Sequence, residues 1–252
     1  MVIATKAIVL SSLKFGDSDL IVKCFTASSG LKSYLLRNIL KSKKGKLKVS
    51  LFQPLTILEI EASHKNKGNL ERIKEAKVYY SYQTLHTQIV KSSMTIFIAE
   101  ILITTINEEA EDIDLFNFIE ESLLWLDQSD KISNFHILFL LKLSIHFGFY
   151  PDTDTAEKPY FNLMEGVFQD LNADKYSERS QRVANLKEFF GIDFDKSYEI
   201  NLTKIERSDL LTLLLQYYQL HFLQINLFFE EQHLLSFSNF RVEYILNLNF
   251  QW

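Results

Sequence analysis

A lysine-rich segment carries the clearest chemistry in this chain of 252 residues. Lys41 to Lys48 reads KSKKGKLK. Clustered ammonium and guanidinium groups neutralise phosphates without reading bases, so the pattern predicts salt-dependent binding of nucleic acid with little sequence preference. The predicted DNA contacts in and before this segment are Lys32, Arg37, Lys41, Lys43, Lys44, Lys46 and Lys48. A solvated lysine-rich loop is the alternative reading of the run taken by itself.

Two aromatic residues, Phe25 and Tyr34, lie close to this segment in apolar stretches. Exposed aromatic rings can stack on bases. Strand alternation, however, places about half of the aromatic residues of a small barrel in its core. Both readings stay open from the sequence, and we include Tyr34 among the predicted DNA contacts.

Catalytic patterns are absent from the sequence. It holds no P-loop, no G-x-S-x-G and no H-E-x-x-H motif. The single cysteine, Cys24, excludes a disulfide framework and a cysteine-rich zinc site. His136 and His146 are ten residues apart within apolar segments, which is typical of core histidines rather than helical metal ligands. We therefore expect a protein that is not an enzyme and that holds no metal or cofactor.

The charge of the chain is divided unevenly. The net charge of −5 combines +9 over residues 1–82 with −14 over residues 83–252. A split of this kind favours two domains with different partners. We predict a basic DNA-binding domain over residues 1–82 and an acidic domain that docks partners over residues 83–252.

The pattern of secondary structure changes at the same place. Five short β segments are predicted before Tyr82: Ala4–Leu13, Leu20–Ala27, Leu31–Leu36, Leu55–Ala62 and Leu70–Tyr80. Helical periodicity then covers Leu85–Ile103, Ile113–Leu126, Phe135–Phe147 and Arg207–Phe228, with Ser208 as the expected cap of the last helix. The predicted fold is α+β: a small β-barrel of the OB type followed by an all-helical domain.

One apolar stretch has the length of a membrane span. Leu210 to Phe229 contains no formally charged side chain. It contains several polar side chains, among them Gln216 and His221, which are costly to place in hydrocarbon. We therefore predict a buried helix of a cytoplasmic protein that does not engage a membrane.

An ordered series of short segments resembles the RecO recombination-mediator family. The series begins with Thr5–Leu10 (TKAIVL), Phe15–Asp19 (FGDSD), Phe25-Thr26 and Gly30. It continues with Arg37, Lys41–Lys43 and Leu51–Glu59 (LFQPLTILE), and Gly148–Asp152 (GFYPD) resembles a short family signature further on.

The resemblance implies an N-terminal OB-fold and a helical C-terminal domain. It also implies binding of single- and double-stranded DNA, strand annealing, cooperation with RecR, docking of the tail of single-strand DNA-binding protein, and indirect help in loading RecA, in the cytoplasm at the nucleoid. On matching positions it assigns DNA contact to Arg37, Lys41 and Lys43, and more loosely to Lys32 and Lys44.

The chain departs from the family in one segment. Many members carry a four-cysteine zinc motif after the counterpart of Tyr150–Asp152, where this chain has no cysteine. We expect no zinc finger, and packing through Tyr160, Phe161 and Phe168 in its place. The alternative function is a protein–protein adaptor whose basic domain meets an acidic protein surface.

Overall fold

The structure is a computed structural model that describes residues 2–41, 47–65, 70–107 and 110–228, with the backbone alone for residues 223–228. It forms two compact units, one reaching Ser129 and one starting at Asp130. The change from strands to helices falls between Val78 and Ile89. The first two helices are therefore part of the same compact unit as the N-terminal strands.

Five antiparallel strands form the sheet of the first unit: β1 (Val2–Phe15), β2 (Asp19–Thr26), β3 (Gly30–Leu36), β4 (Ile57–Ser63) and β5 (Arg72–Val78). Their order is β3-β2-β1-β4-β5. Glu71, just before β5, forms a parallel bridge to β3: Leu35 N–H donates to its carbonyl at 2.9 Å, and its own N–H donates to the Ser33 carbonyl at 2.8 Å. The bridge links the two edge strands of this five-stranded, OB-like sheet, so the predicted fold of the N-terminal part is confirmed. The C-terminal part is helical as predicted but also contains a small sheet, so it is not all-helical.

The inner face of this sheet is apolar because alternate residues of every strand point into it. A bulge near Leu10 shifts the register of β1 against β2 by one residue, which keeps inward residues paired along the whole hairpin. The residues that fill the core are Ala7, Val9, Leu20, Val22, Cys24, Tyr34, Leu36, Ile39, Phe52, Leu58, Ile60, Ala62 and Ile73.

Two helices complete the first unit, α1 (Ile89–Thr105) and α2 (Ile113–Gln128). The carboxylate of Asp127, buried at the end of α2, accepts from the backbone N–H groups of Gln83, Thr84 and Leu85 at 3.0, 2.8 and 2.8 Å. Burial alone would raise the pKa of Asp127, but these N–H donors outweigh it and hold the pKa below its usual value. One carboxylate therefore fixes the segment that enters α1.

The second unit contains four helices among its described residues: α3 (Phe135–His146), α4 (Gln181–Lys187), α5 (Phe194–Ser197) and α6 (Lys204–Phe228). Two buried tyrosines of α6 donate to carbonyls across the unit, Tyr217 to Phe149 at 2.7 Å and Tyr218 to Leu140 at 2.6 Å. No helix in the described part of the chain is long and apolar enough to cross a membrane.

The start of α6 differs from the prediction. Thr203 and Glu206 cap the helix reciprocally: Thr203 N–H donates to the Glu206 carboxylate at 2.8 Å, and Glu206 N–H donates to the Thr203 hydroxyl at 3.2 Å. Ser208 lies inside the helix, so its predicted capping role is wrong. The acidic residue that completes a capping box follows Thr203 at the required spacing, whereas Ser208 has Leu211 at that position.

A small antiparallel sheet interrupts the helices, with strands β6 (Tyr160–Asn162), β7 (Val167–Gln169) and β8 (Ser177–Glu178) in the order β7-β6-β8. Phe161 and Phe168 are buried with ring centroids 4.8 Å apart, as expected for this segment, while Tyr160 is partly exposed. Asn162 fastens the sheet by donating to Asp174 at 3.1 Å. Packing and hydrogen bonds therefore hold the segment that follows Tyr150–Asp152, where many family members carry a zinc motif.

Candidate nucleic-acid interface

The outer face of β1, β2 and β3 is arranged in rows of side chains that lie across the strands. In the first row Ile8 pairs with Phe25, and Phe25 pairs with Leu31. Helix α2 covers this row, with the Phe116 ring 5.9 Å from the ring of Phe25. Ile8 and Phe25 are consequently buried, so Phe25 presents no ring face for base stacking.

The other end of the same face is open. Leu13 pairs with Ile21, Ile21 pairs with Leu35, and in the last row Phe15 pairs with Asp19. Leu13 is 68% exposed and Phe15 is 53% exposed. Paired residues of an antiparallel ladder point to the same face, so these side chains form one surface at the β1–β2 hairpin.

A tight turn after β3 brings two cations to the edge of this surface. Asn38, with a φ of +56°, donates its backbone N–H to Oδ1 of Asp19 at 2.7 Å. Leu40 N–H donates to the carbonyl of Ser18 at 3.0 Å. These bonds fasten the turn to the β1–β2 hairpin, and Arg37 and Lys41 at its two ends are both exposed.

Asp19 is surrounded by groups that favour its ionised form. Its pKa is held below the usual value, first by the hydrogen bond from Asn38 N–H and further by Ser18 and the charges of Arg37 and Lys41. The carboxylate therefore stays ionised at neutral pH and offsets part of the local positive charge. Arg37 and Lys41 thus lie beside Asp19, with the exposed Asp17 two residues before it.

The predicted contacts fall into three groups. Arg37, Lys41 and Lys48 are exposed on the first unit. Lys43, Lys44 and Lys46 lie outside the described residues. Lys32 and Tyr34 point into the barrel.

The two inward residues have partners inside the domain. Lys32 is only 7% exposed and takes part in an interaction within the protein. Tyr34 is fully buried, with its hydroxyl oxygen 2.8 Å from Nε2 of His64. Burial raises the pKa of the Tyr34 hydroxyl, which stays protonated. A base could stack on Tyr34 only if the barrel opened.

Three basic residues elsewhere on the sheet are paired with acids. Lys74 lies 3.4 Å from Glu61, and Lys77 forms an ion pair with Glu59. Lys6 forms an ion pair with Glu120 of α2. The positive charge of this domain is thus partly neutralised along β4 and β5 and next to α2.

The described residues contain no group of three or more His, Cys, Asp or Glu side chains that could hold a metal ion. Burial lowers the pKa of His136 to about 3, so its imidazole is neutral at physiological pH. The arrangement at the hairpin end suits binding of an anionic polymer.

Comparison with known proteins gives a consistent result over both units. The model "Recombination protein O N terminal" matches residues 1–82, and "Recombination protein O C terminal" matches residues 86–227. The chain is similar to "DNA repair protein RecO" of Christiangramia forsetii, with 48% identity covering 88% of this chain and 92% of the relative. The protein of the same name from Flavobacterium psychrophilum is 46% identical with the same coverage, and that from Phocaeicola vulgatus is 35% identical over 86% and 91%. The chain therefore belongs to the RecO family.

Proposed function

We propose that this protein binds single- and double-stranded DNA through the hairpin end of its N-terminal barrel. The observation that carries the proposal is the turn clamped to Asp19, which holds Arg37 and Lys41 beside an open sheet face. Lys48 is a further exposed cation close by in sequence, and Lys43, Lys44 and Lys46 remain predicted contacts. Lys32 and Tyr34 are left out because both are buried.

Membership of the RecO family supports a role in DNA repair and recombination. Within that role we propose that the protein anneals complementary strands and helps to load RecA onto single-stranded DNA. RecR and the tail of single-strand DNA-binding protein are the proposed partners, with the acidic part of the chain, residues 83–252, as the docking domain. The activity is binding rather than catalysis, and DNA binding would keep the protein at the nucleoid.

The decisive experiment is annealing of complementary oligonucleotides with and without single-strand DNA-binding protein. The wild type is expected to bind both strands and to accelerate annealing on coated strands. Charge reversal by Arg37→Glu and Lys41→Glu together should remove most of the binding and the annealing. The matched control, Lys74→Glu with Lys77→Glu, makes the same change of formal charge on β5 and should retain both activities.

Two results would contradict the proposal. Failure of the wild type to bind DNA at low salt would favour the adaptor, whose basic domain meets an acidic protein. Equal loss of binding in the reversed pair and in the control would show that total charge, rather than the clamped turn, determines binding.

A further inference from the structure

The outer face of the barrel is buried at one end and exposed at the other. Its first row is sealed by α2, which buries Ile8 and Phe25. Its last two rows carry Leu13 and Phe15, two large apolar side chains that are more than half exposed. Exposed apolar patches next to charged groups are typical of binding surfaces, since burying such side chains is otherwise favourable.

The hairpin tip around Phe15 is uncrowded. Phe15 is the last residue of β1, and Gly16 follows it with a φ of +58°. A Cβ placed at Gly16 would meet no heavy atom within 4 Å. The space beside Gly16 is therefore open, and the neighbouring Phe15 side chain is itself half exposed.

The position of Phe15 relative to the cations indicates the ligand. Phe15 stands opposite Asp19 in the ladder, about 5 Å away across the strands. Asp19 in turn binds the turn that carries Arg37 and Lys41. An aromatic ring one strand from a pair of exposed cations matches the alternation of base and phosphate in a nucleic-acid strand.

We infer that Phe15, with Leu13 beside it, is a stacking platform for unpaired bases and gives this surface a preference for single-stranded DNA. The inference rests on the proposed function, because the cations must first hold the phosphates. Paired bases are stacked within a duplex and offer no free face to the ring, so only single strands gain from it. Since every base has a π-face, the gain is largely independent of sequence.

Fluorescence anisotropy with labelled (dT)20 and a 20-base-pair duplex tests the inference on the full chain. Phe15→Leu keeps the apolar bulk but removes the aromatic face, and should weaken binding of (dT)20 by about five- to tenfold, the low end of the range for base stacking. Binding of the duplex should change less than twofold. Tyr79→Ala, which removes a ring of similar exposure (45%) in the same unit, is the matched control and should leave both affinities unchanged.

A second variant gives a direct signal. The added tryptophan of Phe15→Trp should be quenched by (dT)20, measured as the difference from the wild type, and should retain the preference for single strands. Unchanged affinity of Phe15→Leu for (dT)20 overturns the platform. So does a parallel loss for both ligands, which would assign Phe15 to the shape of the hairpin. If the wild type binds neither ligand, the proposed function itself fails.

Discussion

Removing the two cations of the clamped turn should change how strongly DNA binding depends on salt. The perturbation is the double substitution Arg37→Gln with Lys41→Gln, which keeps long polar side chains at both exposed positions. Each phosphate contact adds about 0.7 to the slope of log affinity against log salt for a single strand. Asp19 already offsets part of the charge, so we expect the slope to fall by between about 0.7 and 1.4.

The expected loss of affinity follows from the same number of phosphate contacts. At 0.1 M salt the double variant should bind (dT)20 roughly five- to 25-fold more weakly, and the difference should shrink as the salt concentration rises. The assay is anisotropy at four or more salt concentrations. Lys74→Gln with Lys77→Gln removes the same formal charge from ion-paired positions on β5. If both double variants lower the slope equally, the binding reflects overall charge and the placement of the site is refuted.

Three further predictions concern residues that hold local structure within one unit. Asp19→Ala removes the acceptor for the turn and should weaken binding of (dT)20 severalfold in anisotropy, whereas Asp19→Asn keeps an acceptor and should bind no more weakly than the wild type. Asp127→Ala leaves three backbone N–H groups without their acceptor and should lower the free energy of unfolding in urea by about 3 kcal/mol. Because the pKa of Asp127 is depressed in the folded protein, its stabilisation is complete above the unfolded pKa of about 3.9 and is lost as the pH falls through the folded pKa. The variant lacks this contribution, so it should lose less stability than the wild type on acidification. Gly166→Ala places a Cβ 2.5 Å from the Tyr217 hydroxyl at a φ of +69° and should lower the free energy of unfolding by about 2–4 kcal/mol. In a double-mutant cycle, Tyr217→Phe should reduce this loss because it removes the hydroxyl. Strictly additive losses would show that the hydroxyl does not clash with the new methyl group.

Long elements could be predicted from the sequence because their periodicity extends over many residues. Helix α2 was expected over Ile113–Leu126 and spans Ile113–Gln128, and the first four strands were each located correctly. Strands β6 to β8, of two or three residues each, were missed because so short a segment shows no alternation. Helices α4 and α5 were missed for the same reason, since neither exceeds two turns.

The candidate site could be predicted only in part. Composition located the basic segment, and Arg37 and Lys41 are indeed exposed. The sequence does not show whether Lys32 and Tyr34 face outward, because β3 carries large side chains on both faces. Only the pairing of Tyr34 with the inward Val22 shows which face is the core. Phe15 was passed over because its orientation depends on the bulge near Leu10, which shifts the register of β1.

Packing of α2, rather than charge alone, determines where the open surface begins. The Phe25 ring lies against Phe116, and Lys6 is held in an ion pair with Glu120 of the same helix. Beyond this contact the first exposed cation on the outer face of β2 is Lys23, and the strand ends at Asp19. The uncovered strip from Lys23 to Asp19 is therefore about 14 Å long. The row of Leu13 and Ile21 lies between Lys23 and the last row, in which Phe15 stands opposite Asp19. A strand lying along the strip would therefore meet a cation, then apolar side chains, and then Phe15 beside the clamped turn. We expect that order to suit a short stretch of unpaired nucleotides better than a rigid duplex, in line with the role inferred for Phe15.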